Sequence, residues 1–386
     1  MIDRNAEALL KRLALQFKAI ALTGPRQSGK TTLIRKVFYE KPYVSLESPE
    51  ERRLAINDPR QFLSRFPQGA ILDEIQRAPE LFSYLQQVLD EAKENGLFIL
   101  TGSNNFLLLE SITQSLAGRV AYLDLLPFSW EENSRIEGYS TNLNDTIFFG
   151  GYPAITYQKV DTYQWFSSYV RTYVERDVRL LKNISSLELF QRLLYLCAGR
   201  IGQQLNLTNL ANEVGTDHKT IQSWLSIMQA SYILYLLPPY FKNFNKRIIK
   251  APKLYFYDTG LASFLLGIDK PEQLMNHGSK GFLFENWVIM ELMKNRFSKG
   301  LRANFFYFRD SAGNEVDIII DLGGRQVPIE IKSGETINDS FFNNLQYYEK
   351  LSEEKGILIY GGEKSGFSYK GFEIRNWRNL ITLAPK

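Results

Sequence analysis

The stretch Gly24-Pro25-Arg26-Gln27-Ser28-Gly29-Lys30-Thr31 fits the spacing G-x-x-x-x-G-K-[ST] and constrains this chain more than any other. Ala19-Ile20-Ala21-Leu22 before it reads as a buried strand. Thr32-Leu33-Ile34-Arg35-Lys36-Val37-Phe38 after it reads as an amphipathic helix. Strand, glycine loop and helix are the parts that phosphate binding needs. Gly24 and Gly29 let the backbone curl so that successive N–H groups point inward at phosphate oxygens. The helix N-terminus adds partial positive charge at the same spot. The segment from Gly24 through Thr32 is therefore expected to hold a nucleotide. Lys30 is expected to reach the β- and γ-phosphates and Thr31 to ligate Mg²⁺.

Asp3 to Leu15 has helical spacing and predicts a leading helix; Tyr43-Val44-Ser45-Leu46 predicts a strand and Glu50 to Phe66 one helix. Ala70-Ile71-Leu72-Asp73-Glu74 reads as a buried parallel strand with acids at its C-terminal edge, where ligands bind in open α/β sheets. Asp73 would hold Mg²⁺ and Glu74 would polarise the attacking water as the base. Leu97 to Asn104 is a further buried strand ending in small polar groups, and Ser103 or Asn104 is the expected γ-phosphate sensor. Such a sensor strand would lie between the loop strand and the Asp73 strand. Ala117 to Leu125 closes the sheet. Arg119 at its start offers a guanidinium fork for a phosphoryl transition state, within the chain or from a neighbouring copy; the plain alternative is a surface salt bridge.

Gly24 to Thr31, Ile71 to Gln76, Leu100 to Asn104 and Leu116 to Leu125 together resemble the prokaryotic AAA-type ATPases that carry a C-terminal domain of uncharacterised function. Gly150-Gly151-Tyr152-Pro153, Lys253 to Leu261 and Gly281 to Asn286 extend the resemblance over nearly the whole chain. The resemblance implies ATP binding and hydrolysis. It supplies no settled biological role.

In the middle of the chain, Gly150 to Pro153 is expected to be a rigid turn, and Gln164 to Leu181 a helix. Arg171 or Arg176 on that helix is either part of a solvated face or a second nucleotide sensor. Leu207 to Ala211, with Thr208 as the expected N-cap, and Thr216 to Met228 are two short helices either side of Val214-Gly215. Such a helix-turn-helix would offer Thr216, His218, Lys219 and Gln222 outward. Tyr232 to Leu237 would be the strand of a winged helix. Lys242, Lys246, Arg247, Lys250 and Lys253 follow among Tyr240, Phe241 and Phe244, a pattern suited to gripping a nucleic-acid backbone. DNA is the expected partner, against the alternative of a winged helix used for protein contacts.

In the last third the order is helix (Gly281 to Asn295), strands at Asn304 to Arg309, Glu315 to Ile320 and Gln326 to Lys332, helix (Asp339 to Leu351), and strand (Gly356 to Tyr360). This is the order of the PD-(D/E)xK nuclease fold, and the residues resemble its signature, with Val316 where a proline commonly precedes the Asp. Strand alternation puts Glu330 and Lys332 on one face. Asp317 and Glu330 would hold Mg²⁺ or Mn²⁺, Lys332 would position water, and Glu285 matches the acid that often completes such a site. An inert fold retained as a protein-binding platform is the competing expectation.

The 386 residues exceed one ordinary core, and four parts are expected: an AAA-type ATPase at 1–132, a helical linker or lid at 133–190, a winged helix at 191–255 and a nuclease-like domain at 256–386. The fold class is α/β throughout: a P-loop parallel sheet, a helical and winged-helix region, then a restriction-endonuclease-like sheet. A net charge of +4 is too small to name a partner by itself. The lone Cys197 allows no intramolecular disulfide and, with His218 and His277 the only histidines, offers no zinc constellation. No secretory leader or membrane span is expected, which suits the cytoplasm. ATP with Mg²⁺ is the expected ligand, and a trans-acting Arg119 would require a homo-oligomer.

Overall fold

The computed structural model describes residues 2–102, 116–174, 186–240 and 251–380. The chain forms two compact units, Met1–Phe128 with Phe297–Leu301, and Ser129–Arg296 with Arg302–Lys386.

The first unit is built on strands β1 (Ala19–Thr23), β2 (Tyr43–Ser45), β3 (Ile71–Asp73), β4 (Phe98–Thr101) and β5 (Val120–Asp124). They pair in the order β2-β3-β4-β1-β5, every pair parallel. Strand β4 thus lies between the loop strand and the Asp73 strand, the place expected for a sensor strand. All five β1 residues are buried because both sheet faces are covered. Ile20 and Leu22 face a layer containing helices α1 (Glu7–Gln16) and α2 (Lys30–Val37). Ala19 and Ala21 face α3 (Pro49–Asn57), α4 (Pro59–Ser64) and α5 (Leu81–Glu91).

Three expected boundaries move. The helix anticipated over Glu50 to Phe66 is two, because Pro59 opens α4 and the Asp58 side chain caps it by accepting from the Gln61 N–H at 2.9 Å. The leading helix starts at Glu7 rather than Asp3, its first N–H donating back to the Arg4 carbonyl. The last strand starts at Val120, since Gly118 takes a left-handed turn just before it.

In the second unit, α6 (Leu187–Ala198), α7 (Leu207–Val214) and α8 (His218–Ala230) precede an antiparallel hairpin of β6 (Leu234–Leu237) and β7 (Lys253–Phe256). Gly215 is left-handed, with φ +88°, and ends α7. Asn206, not Thr208, caps α7, accepting from Asn209 N–H. Asp217 caps α8, accepting from the N–H groups of Lys219 and Thr220, so Thr216 lies outside the helix. Among the described residues, the helix expected from Gln164 is α-helical over Thr162–Tyr169 and becomes a π-helical turn at Val170–Val174, which contains Arg171. Arg176 and the basic stretch Lys242 to Lys250 lie outside the described residues.

Asp258 joins two of the quoted motifs. Its carboxylate accepts from Gly151 N–H at 2.8 Å and caps α9 (Thr259–Leu265) through Leu261 N–H at 3.1 Å. Gly150 has φ +65°, and a Cβ there would meet Asp258 Oδ1 at 2.3 Å. The turn is therefore glycine for both conformation and space.

Helix α10 (Lys280–Ser298) leads to a six-stranded mixed sheet in the order β12-β13-β11-β10-β9-β8. β8 (Phe305–Arg309), β9 (Glu315–Asp321), β10 (Gln326–Lys332), α11 (Asn343–Ser352) and β11 (Ile357–Tyr360) occupy the expected stretches. β12 (Phe367–Tyr369) and β13 (Phe372–Asn376) were not anticipated; β13 extends the sheet by pairing parallel to β11 and buries Phe372 and Ile374.

Candidate functional site

The glycine loop joins β1 to α2 at the C-terminal edge of the first sheet. Gly24 has φ +137°, and a Cβ would lie 2.2 Å from the Leu125 carbonyl oxygen, so no other residue fits. Gly29 is left-handed at the start of α2, and Gln27 also takes φ +57°. Lys30 is buried and donates to the carbonyls of Gly24 at 2.9 Å and Pro25 at 2.8 Å. Burial lowers its pKa to about 8, against the opposing pull of Glu74 and Asp73. The hydroxyl oxygen of Ser28 is buried and has no hydrogen-bond partner among the described residues. A buried donor left over inside a ring of backbone amides suits an incoming phosphate oxygen.

Arg4 braces the loop from behind. Its guanidinium donates to the carbonyls of Ser28 and Leu126, both at 2.7 Å, and lies 4.9 Å from the Phe128 ring centre. No sequence motif marks this arginine; the three-dimensional return of β5 beside the loop creates its role.

Asp73 ends β3 beside the loop. It accepts from Thr31 Oγ1 at 3.1 Å, from Tyr43 OH at 2.6 Å and from the Thr101 hydroxyl. Thr31 and Asp73 thus face each other as a hydroxyl and carboxylate pair of the kind that flanks a nucleotide's Mg²⁺. Glu74, the next residue, is left-handed with φ +54° and accepts from the Gln76 side-chain amide. Tyr43 and Thr101 were not singled out in the sequence; Thr101 ends β4, the parallel neighbour of β3, while Tyr43 starts β2 opposite Ile71 and reaches Asp73 with the far end of its long side chain. Ser103 and Asn104, the anticipated sensors, lie outside the described residues.

Arg119 does not approach the loop within this chain. Its carbonyl accepts from Ala19 N–H at the start of β1, whereas the loop follows Thr23 at the end. Four residues of strand separate the two edges by about 13 Å. The side chain instead forks onto Asp90 of α5, at 2.5 and 2.9 Å. This is the surface salt bridge weighed above, and an exposed pair of this type contributes little to stability.

A second centre lies within the second unit. Glu285 of α10, Glu315 and Asp317 of β9, and Glu330 and Lys332 of β10 come together with Lys253 of β7. Lys332 Nζ lies 2.6 Å from Glu330 and 3.7 Å from Asp317. Lys253 Nζ lies 3.2 Å from Glu285 and 2.5 Å from Glu315. Tyr255 OH donates to the same Glu285 oxygen that Lys253 holds. Asp317 Oδ2 accepts from the Ile331 N–H at 2.8 Å, and Asn344 donates to Glu330 Oε1 at 3.2 Å. The other Glu330 oxygen is buried without a hydrogen-bond partner among the described residues. Burial raises the pKa of both Glu285 and Glu330. Burial would lower Lys253 and Lys332, but the carboxylates around them outweigh it and hold both ammonium groups charged. Among the described residues no group of three or more His, Cys, Asp or Glu is placed to hold a metal ion. The four residues named from sequence do converge, but Lys332 bridges Asp317 and Glu330 while Glu285 is held by Lys253 and Tyr255.

On α8, His218, Lys219 and Gln222 are exposed, while Thr216 is half-buried before the helix. No helix among the described residues is long and apolar enough to cross a membrane.

Residues 16–134 match the family model "AAA domain". Residues 140–272 and 280–378 match two further models, each described as a domain of unknown function (DUF8612 and DUF4143). An uncharacterized protein of Mycobacterium tuberculosis, Rv2008c, is 30% identical over 339 residues, covering 86% of this chain and 74% of that one. A Mycobacterium bovis uncharacterized protein matches equally, and one of Haemophilus influenzae is 22% identical over 97% of both chains. Among solved structures, the Walker-type ATPase PABY2304 of Pyrococcus abyssi aligns with a TM-score of 0.48 and 14% identity, over 69% of this chain and 96% of that one.

Proposed function

This chain belongs to the family of the mycobacterial protein Rv2008c, and from that premise we propose that it is a DNA-associated ATPase whose nucleotide cycle acts on a nuclease-like C-terminal centre. The AAA domain supports nucleotide binding. The observation that carries the finer reading is the meeting of loop and strand ends: Lys30 within the loop, with Asp73 joined to Thr31 at 3.1 Å. Backbone amides of Gly24 to Thr32 hold the phosphates, and Lys30 leaves the Gly24 and Pro25 carbonyls to meet the β- and γ-oxygens. Thr31 and Asp73 would hold Mg²⁺, which would neutralise phosphate charge when bound. Glu74 accepts the proton of the attacking water. Glu74→Gln should keep ATP affinity while lowering turnover at least about 100-fold. Near-normal hydrolysis by that variant would remove Glu74 from the role of base.

DNA association rests on the α7–Gly215–α8 geometry and on the exposed His218, Lys219 and Gln222. In the C-terminal centre, Asp317, Glu330 and Glu285 would hold Mg²⁺ or Mn²⁺ once freed from their lysine partners, and Lys332 would orient water. One observation favours a second reading, in which this centre is a structural core of a binding platform. Two ammonium groups already bridge its four carboxylates.

A further inference from the structure

The C-terminal carboxylates are well placed in the fold but badly placed for a metal, and the reason is a single strand. Glu285 is the acid that would complete the set with Asp317 and Glu330. Its Oε1 is taken twice by β7, once by the Lys253 ammonium at 3.2 Å and once by the Tyr255 hydroxyl. Lys253 also holds Glu315 at 2.5 Å. Its side chain is 3% exposed, so this cation is shielded from solvent. On the other side of the centre one Glu330 oxygen is buried and unpartnered among the described residues, although Glu330 is only 1% exposed. An unpartnered oxygen on one acid and two donors on a single oxygen of another indicate a site whose ligands are present but unevenly partnered.

We propose that Lys253 is a built-in cation that disarms this centre: it supplies the positive charge a divalent ion would bring and ties Glu285 to Glu315. Removing the ammonium leaves Glu285 with the Tyr255 hydroxyl and leaves the four carboxylates with Lys332 alone bridging two of them. A hard divalent cation with oxygen preference then becomes the fitting compensation. β7 is the strand that returns from the helix-turn-helix hairpin, so a shift of that hairpin is the natural way to withdraw Lys253. The inference rests on the reading of the centre as a metal-dependent, nuclease-like site.

The test is Mn²⁺ binding to nucleotide-free full-length protein, followed by loss of the free Mn²⁺ electron-paramagnetic signal. Wild type, Lys253→Met, Lys253→Arg and Lys253→Met with Asp317→Asn are compared, with circular dichroism to establish folding. Lys253→Met should bind one Mn²⁺ at least tenfold tighter than wild type. Its melting temperature should rise with Mn²⁺, and both effects should vanish when Asp317→Asn is added. Lys253→Arg, which keeps the charge, should resemble wild type. Should Lys253→Met not fold, Lys253→Gln takes its place, because it keeps a polar side chain toward Glu285. Wild type binding Mn²⁺ as tightly as the variant, in a manner abolished by Asp317→Asn, overturns the disarming role and leaves the metal-site reading intact. No Mn²⁺ bound at this centre by any folded variant overturns both.

Discussion

At the scale of single residues, two groups behind the loop have consequences that can be measured. Lys30 is buried with its pKa lowered to about 8, from an ordinary value of 10.5. Between those values the unfolded chain holds a proton that the folded, nucleotide-free protein has released. Stability contributed by this residue therefore rises with pH across that window. Melting temperatures of wild type measured from pH 7.5 to 10 should climb relative to Lys30→Met, and a constant difference would contradict the buried lysine. Arg4 satisfies two buried carbonyls, those of Ser28 and Leu126. Arg4→Met leaves both without that partner, at a cost of roughly 1–3 kcal/mol each. Weaker ATP binding together with a lower melting temperature is expected; unchanged affinity would show that the loop holds its shape without the brace. The loop itself was legible from spacing, because glycines at set positions and a Lys-Thr pair can be recognised without coordinates. Arg4, Tyr43 and Thr101 were not, because nothing local to them points at Asp73 or Ser28. Arg119 shows the reverse: its chemistry suits a phosphate, but within this chain it stands at the far end of its strand from the loop and pairs with Asp90.

At the scale of elements, periodicity located most strands and helices, and cap chemistry decided their ends. Pro59 and Asp58 split one expected helix into two; Asn206 and Asp217 shifted the starts of α7 and α8. These are side-chain hydrogen bonds to backbone N–H groups, and several nearby Ser, Thr, Asn or Asp residues could have made them equally well. The junction of the Gly150-Gly151 turn with Asp258 belongs to this scale too. Gly150→Ala places a methyl group 2.3 Å from Asp258 Oδ1 at a left-handed backbone position. Asp258 would have to release the Gly151 N–H and the α9 cap together. A loss on the order of 3 kcal/mol is expected, read by denaturant unfolding. A loss below about 0.5 kcal/mol, typical of an ordinary surface substitution, would mean the junction is not rigid.

At the scale of the whole molecule, the proposed function couples ATP use to a centre carried by a different unit. Plasmid and single-stranded DNA should be cleaved with Mg²⁺ or Mn²⁺ only under conditions that release Lys253, and cleavage should be lost in Lys332→Ala. Cleavage dependent on ATP hydrolysis, and abolished in Glu74→Gln, would join the two sites. ATP turnover with no cleavage in any condition, including in Lys253→Met, would support the binding-platform reading.

What the sequence determined by itself was the local chemistry: the phosphate loop, the acidic strand end at Asp73 and Glu74, the helix-turn-helix, and the order of strands around Asp317 and Glu330. These are short-range patterns, set by backbone conformation and by the period of buried residues. Only the tertiary structure decided who stands next to whom. It returned Phe297–Leu301 to the first unit, where Gly300 packs on Leu9, although a continuous 1–132 domain was expected. It also brought Lys253, read as one of a run of basic residues, into the buried company of Glu285 and Glu315. The physical reason is the same in both cases: burial and ion pairing depend on residues distant in sequence, and no local pattern encodes which of several lysines will be the one taken out of water.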